Sequence, residues 1–233
     1  SGSTVGVVLN FPSGTFLFNQ TIILPENILL RGKGADSTIL KFNLNGSGHA
    51  IEIMGSLSND TSYLTQNAFK DSSSVKVNNS SLFMVGDWVR IIQNDSALIN
   101  NSWALNTVGQ IVEITQIINN ELVFDSDLRR NYNLNQTPYV KKILLKENTG
   151  LECFKIQRED NSSSQVSNIK FSRAANCWIS GIESDKCNFA HVDVEYSTNL
   201  TISKSYFHDA QNYGSGGKAY GVMLHFTTNE CLV

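Results

Sequence analysis

The sequence predicts an all-β protein: a parallel β-helix with an inserted antiparallel β lobe. Three observations lead there. Asn176, Asn199 and Asn229 each open a short apolar run (Cys177-Trp178-Ile179, Leu200-Thr201-Ile202, Glu230-Cys231-Leu232), at intervals of 23 and 30 residues. A second landmark keeps the same intervals: Ile169-Lys170-Phe171, Val192-Asp193-Val194 and Val222-Met223-Leu224. The units are short, alternating and β-branched, with Asn and Gly at the turns, so each is built of strands. Two landmarks moving in step at about two dozen residues mark a solenoid, and a solenoid of strands is a β-helix.

The asparagines have a physical role in such a coil. A tight corner needs a residue with positive φ, and Asn tolerates the left-handed region better than other non-glycine residues. Stacked coils then place the amides above one another, where they can hydrogen-bond. Composition agrees with a large β domain. Only 17% of the 233 residues are charged and the net charge is −3. With no basic cluster, nucleic acid is excluded as an expected partner. No apolar run is long enough to span a membrane. The N-x-S/T triplets suggest an extracellular surface, so a secreted or cell-surface location is expected, with any signal peptide upstream of Ser1. Ser1-Gly2-Ser3 reads as a linker remnant.

Residues 1–54 read as the first coils. Val7-Val8-Leu9-Asn10-Phe11-Pro12-Ser13-Gly14-Thr15-Phe16 reads as a strand, a Pro-Ser-Gly turn and a second strand, and Thr21-Ile22-Ile23-Leu24-Pro25 follows. Asn27-Ile28-Leu29-Leu30-Arg31-Gly32-Lys33-Gly34-Ala35-Asp36-Ser37-Thr38-Ile39-Leu40 follows. With Phe11-Pro12-Ser13-Gly14-Thr15-Phe16 before it, this stretch resembles the opening of the pectate-lyase-like superfamily of right-handed β-helices. That resemblance implies a right-handed coil and a carbohydrate-active or tailspike-like protein. It does not choose among lyases, hydrolases, epimerases, tailspikes and non-catalytic adhesins.

Residues 55–146 break the coil pattern. Gly86-Asp87 is a turn entering the strand Trp88 to Ile92, and Gly109 to Phe124 forms a hairpin with Asn119-Asn120 at its tip. This is the inserted antiparallel lobe, a cleft wall or a structural flap. Residues 147–233 return to coils, with polar insertions at 157–165 and 209–220 that register places at one corner. Loops gathered on one edge of a solenoid build recognition surfaces. A strand ending at Val233 would expose an unpaired edge, so further coils or another chain are expected to cover that end. Cys153, Cys177, Cys187 and Cys231 fit no metal spacing. They read as small buried apolar residues, with a disulfide left open.

Coils stack about 4.8 Å apart, so sequence-distant groups can be paired by register. Asp185 falls under His208 and Lys186 under Asp209, beside loops that carry Arg158, Glu159 and Asp160 or Tyr213, Lys218 and Tyr220. The expected catalytic residues are therefore Asp185, His208, Asp209 and Lys218. By period-2 alternation Lys170, His191, Asp193, Glu195 and His225 face outward, with Glu195 stacked on His225. Lys170, Asp193, Glu195, Tyr213, Tyr220 and His225 are the expected substrate-binding residues. A uronate lyase needs a base, which Lys218, Lys186, Lys170, His208 or Tyr213 would supply, and Asp185 with Asp209 could hold Ca²⁺. A glycoside hydrolase needs two carboxyls, either Asp193 with Glu195 or Asp185 with Asp209.

The chain lacks the Asn-Thr-Asp, Asp-Asp and Gly-His-Gly pattern of polygalacturonases and a pectate lyase arginine motif. The expected function is cleavage or modification of a polysaccharide, an acidic one, by lyase or hydrolase chemistry. The alternative is a non-catalytic glycan-binding or adhesin-type β-helix whose charged groups form only a solvated face.

Overall fold

The computed structural model describes residues 6–233. Ser1-Gly2-Ser3, with Thr4 and Val5 of the first expected segment, lies outside the described residues. The chain divides into two compact units. One holds the segment ending at Met54 together with Lys146–His225 and Glu230–Val233, and the other holds Gly55–Leu145 with Phe226–Asn229.

The first unit begins with strands β1 (Val7–Asn10), β2 (Gly14–Phe18), β3 (Ile22–Ile23), β4 (Ile28–Arg31), β5 (Thr38–Phe42) and β6 (Ile51–Met54). The second unit contributes β7 (Ser56–Tyr63), β8 (Ser74–Lys76), β9 (Trp88–Ile92), β10 (Gly109–Ile118), β11 (Glu121–Phe124) and β12 (Tyr139–Leu144). The chain then returns with β13 (Lys146–Glu147), β14 (Gly150–Glu152), β15 (Lys155–Arg158), β16 (Ile169–Ser172), β17 (Ala174–Ala175) and β18 (Trp178–Ser180). It ends with β19 (Glu183–Cys187), β20 (Ala190–Glu195), β21 (Thr201–Ser203), β22 (Tyr206–Ala210) and β23 (Tyr220–His225).

Three five-stranded sheets form the faces of the first unit, in the orders β1-β4-β14-β18-β21, β2-β5-β15-β19-β22 and β23-β20-β16-β6-β3. Every pair within them is parallel, as in a β-helix. The second apolar landmark stacks as its spacing requires: Ile169 pairs with Val192, and Val192 with Val222. β4 pairs with β14 and β5 with β15, so the coils before and after the lobe are consecutive in the stack. Leu40, Phe42, Ile51, Phe154, Phe171 and Val192 are completely buried in one continuous apolar core.

The corners are held in a repeated left-handed bend. At one corner Asn27, Asn148, Asn176, Asn199 and Glu230 all have φ between 53° and 61°. Two amide steps link this ladder, from Asn148 to Asn27 (3.1 Å) and from Asn199 to Asn176 (3.4 Å). A second corner stacks Cys153, Gly181 and Lys204, and a third Arg173, Tyr196 and Phe226, all at positive φ. The last coil departs from the sequence expectation by one residue. Thr201 pairs with Leu232, so Glu230 and not Asn229 occupies the corner. Asn229 is spent elsewhere, its amide exchanging two hydrogen bonds with the backbone of Ile111 in the second unit.

The two polar insertions both connect the second sheet to the third. The first is tied down. Arg158 is fully buried and grips Asp160 through two hydrogen bonds of 2.6 and 2.8 Å, and Asp160 accepts from the Gly46 N–H at 2.7 Å. The second insertion, beyond Ala210, runs as exposed loop to Gly216.

The second unit is an antiparallel sheet in the order β7-β12-β9-β10-β11-β8. Its hairpin turns at Asn119-Asn120 with Ile118 opposite Glu121, and Asn119 sits at φ 55°, the left-handed value such a turn needs. Val89, Ile91, Val112, Ile114, Leu122 and Tyr132 centre its own core. Among the described residues no helix is long and apolar enough to cross a membrane.

Candidate functional site

Strand alternation on the second sheet sorts two rows of side chains. Ile156, Ser184 and Phe207 share one register position; Ile156 lies in the core and Phe207 packs against it. The rows on either side, Lys155-Glu183-Tyr206 and Gln157-Asp185-His208, therefore lie on the opposite face. Their heads interlock. Lys155 Nζ is 2.7 Å from Glu183 Oε1 and 3.6 Å from Asp185 Oδ2. The His208 ring donates from Nε2 to Glu183 Oε1 at 3.0 Å. Its Nδ1 lies 3.0 Å from Asp209 Oδ2 and 3.9 Å from Asp185 Oδ1. The Tyr206 ring stacks on that of His208 with centroids 4.5 Å apart.

Asp209 joins this group because of its backbone. Adjacent strand residues point to opposite faces, yet Asp209 adopts φ 56°, as Lys186 does one coil below at φ 59°. The left-handed bend breaks the alternation and turns the Asp209 carboxylate toward the ring of its predecessor.

Electrostatics follow from these contacts. Desolvation alone lowers the pKa of His208, but hydrogen bonds to Asp209 and Glu183 outweigh it and the net shift is upward. Desolvation raises Glu183, while Lys155 and His208 more than reverse it, leaving the carboxyl below its ordinary value. Lys155 is raised, chiefly by its hydrogen bond to Glu183. Asp185 is 93% buried, and its Oδ1 has no hydrogen-bond partner. Among the described residues, Asp185, His208 and Asp209 are the His, Cys, Asp or Glu groups whose ligand atoms gather closely enough to share an ion, all within 4.8 Å of one another.

The structure thus brings together three of the four residues expected to be catalytic. Lys218 lies on the second insertion and no hydrogen bond or ion pair joins it to them. Tyr213 is on the same loop and exposed, and Tyr220 opens β23 with its ring edge-on to Phe189. Lys155, Glu183 and Tyr206 were missed by the sequence reading. Their signal was present, since Glu183 stands two residues before Asp185 and 23 before Tyr206.

The second expected group forms a closed network on the third sheet. Lys170 Nζ bridges Asp193 (2.8 Å) and Glu195 (3.1 Å). His225 stacks on Glu195 as register requires, but its Nε2 bonds to Asp193 Oδ1 at 2.8 Å, with Glu195 at 3.8 Å. Lys170 and Asp193 are buried. Desolvation raises the Asp193 pKa, and His225 and Lys170 together overturn that, so the net shift is downward. This network leaves both carboxylates paired.

Two expectations are corrected. His191 does not face outward. It is buried, its Nδ1 lies 2.9 Å from Ser184 Oγ, and its ring stacks on Phe207, which itself packs against the core. Arg158 and Asp160 do not join the site, since their buried ion pair staples the first insertion. Cys153, Cys177 and Cys187 form no disulfide; Cys177 and Cys187 are buried, and Cys153 is exposed at a left-handed corner.

No family model matches the chain, and no curated protein matches it. Solved structures do. The tailspike gp61 of Pseudomonas phage phi297 superposes with TM-score 0.69 at 12% identity, over 93% of this chain and 35% of that one. The tailspike gp54 of Acinetobacter baumannii bacteriophage AP22, solved in complex with A. baumannii capsular saccharide, gives TM-score 0.53 at 14% identity over 87% of this chain and 41% of that one. The tailspike gp49 of Pseudomonas phage LKA1 gives TM-score 0.53 at 13% identity over 97% and 46%. The chain therefore has a parallel β-helix fold like that of these tailspikes, and it spans less than half the length of each.

Proposed function

We propose that this chain is the β-helical part of a secreted or surface protein that binds a polysaccharide and cleaves or modifies it, at the outer face of the second sheet. One observation carries the reading. The exposed Tyr206 ring is stacked on His208 directly beside Glu183, Asp185 and Asp209. Sugar rings bind on such aromatic faces, and the adjoining carboxylates and imidazole offer proton transfer. Lys41 and Lys155 lie on strands of the same sheet and suit an acidic glycan. Glu183 and Asp185, two apart on one strand face, supply two carboxyls that converge on Lys155 Nζ at 2.7 and 3.6 Å, closer together than the roughly 6.5–9.5 Å of an inverting hydrolase. The saccharide bound to one of the tailspikes above supports the substrate class.

A non-catalytic glycan-binding or adhesin-type β-helix is the second reading. It is favoured by the ion pairing of Glu183 with Lys155 and of Asp193 and Glu195 with Lys170, which occupies those carboxylates. Binding of uronate-containing polysaccharides is measured by affinity electrophoresis, with product formation followed by ultraviolet absorbance and reducing-end assay. Tyr206→Ala should weaken glycan binding at least tenfold while leaving the fold intact. Unchanged retardation of Tyr206→Ala would move the site elsewhere. Retained binding with no product would select the second reading.

A further inference from the structure

We infer that Asp185, His208 and Asp209 form a binding site for a divalent transition-metal ion of the zinc class. The inference takes the location of the site from the reading above and adds its cofactor. Three independent features point to a metal and not merely to an acidic surface.

The first is spacing. Ligand atoms held about 2.0 Å from a tetrahedral ion stand about 3.3 Å from one another. The two Nδ1 distances, 3.0 Å to Asp209 Oδ2 and 3.9 Å to Asp185 Oδ1, bracket that value, and the three ligand atoms lie within 4.8 Å of one another, so an ion would draw the exposed Asp209 carboxylate inward. Three protein ligands leave one coordination position open, as in zinc sites that do chemistry and unlike closed structural sites.

The second is the orphaned oxygen. Asp185 is 93% buried and its Oδ1 accepts no hydrogen bond. An unpaired buried acceptor is costly, and a cation between it and His208 Nδ1 satisfies it. Lys155 does not fill this role, since it approaches the other oxygen, Oδ2, at 3.6 Å.

The third is the support behind the imidazole. Metal-binding histidines commonly donate their second ring N–H to a carboxylate, which fixes the tautomer and aims the ligating nitrogen. Here Nε2 meets Glu183 Oε1 at 3.0 Å and Nδ1 meets Asp209 Oδ2 at 3.0 Å, and both carboxylates can only accept; an ion on Nδ1 takes the place of the proton shared with Asp209 while Nε2 keeps its bond to Glu183. Glu183 is itself held by Lys155, and the ring is packed against Tyr206.

The donor set separates metal classes. Imidazole with two carboxylates suits zinc and its neighbours. Ca²⁺ takes six to eight oxygens, and this site offers two aspartates and a nitrogen. When bound, the ion would supply a Lewis acid and a position for water or a sugar oxygen.

The test is isothermal titration of the chelator-treated full chain with ZnCl₂ and, separately, CaCl₂, in the absence of any glycan. One Zn²⁺ per chain is expected. His208→Ala and Asp185→Asn should each weaken it at least 100-fold, and Glu183→Gln about tenfold through the imidazole it orients. Asp209→Asn alters an exposed side chain, so it keeps the test valid if the buried Asp185 variant does not fold. A Co²⁺-loaded sample should show ligand-field absorption that His208→Ala removes. The inference is overturned by absence of stoichiometric Zn²⁺ binding, by binding that His208→Ala and Asp209→Asn leave unchanged, or by Ca²⁺ binding more tightly than Zn²⁺. Because no glycan is present, these outcomes are independent of the Tyr206→Ala result.

Discussion

His49 should make the protein lose stability on mild acidification, by an amount the structure fixes. Its ring is largely buried, and Nδ1 accepts a hydrogen bond from the Ser167 N–H at 2.9 Å, so the imidazole must be neutral in the native state. Burial, followed by the Lys170 charge, depresses its pKa from 6.5 to about 4; Arg158 adds to this, and Asp193 and Glu195 oppose it. With the folded pKa below the unfolded one, the unfolded chain binds more protons between these values, so stability falls as pH drops from about 6.5 toward 4. The linkage integral gives a loss of about 2 kcal/mol between pH 7.5 and 5, and about 3 kcal/mol once pH 4 is passed. His49→Asn keeps an acceptor near the Nδ1 position and removes the titration. Urea denaturation of both proteins at pH 7.5, 6, 5 and 4.5 should show two stability curves that diverge by these amounts, the wild type falling faster. His208 has the opposite sign, its raised pKa favouring the fold below 6.5 and losing that contribution as pH rises, and it cancels in the difference. Asp160 and Asp193, held below 3.8, lose their contributions only at lower pH. Parallel curves, or a His49 ring titrating near 6.5 by NMR, would refute the reasoning.

Two further outcomes test the packing. Asp160→Asn leaves the fully buried Arg158 guanidinium without its counter-charge, and should cost about 3–5 kcal/mol in denaturant unfolding. Gly150→Ala places a Cβ against the indole of Trp178. The ring must move from its 2.7 Å bond to Glu152, so a loss of about 1–3 kcal/mol and altered Trp fluorescence are expected.

The coil was legible because stacking imposes a period. Ile169, Val192 and Val222 must fill the same interior slot, and residues that share a slot share chemistry. The hairpin at Asn119-Asn120 was legible through the φ its turn demands. The candidate site was half legible. Asp185 over His208 follows from register alone, but membership of Asp209 depends on a left-handed bend that no periodicity encodes. His191 was misread because Ser184 and the Phe207 ring hold its imidazole, contacts that alternation does not report, and Asn229 because the Ile111 backbone claims its amide and the last coil takes up one extra residue. Lys170, Asp193 and Glu195 were correctly grouped by face. That they satisfy one another is a matter of side-chain reach, which spacing does not report.

The left-handed ladders make this architecture modular in whole windings. Excising the 23 residues from Asn176 to Thr198 would bring Asn199 onto Asn148, Lys204 onto Cys153 and Phe226 onto Arg173, each a bend of the same hand meeting its like. Deleting a single residue within a strand would instead swap interior for exterior along the rest of that coil. Length variation in such a protein is therefore quantised: it grows and shrinks by full circuits, or in loops at the rim, and by nothing between.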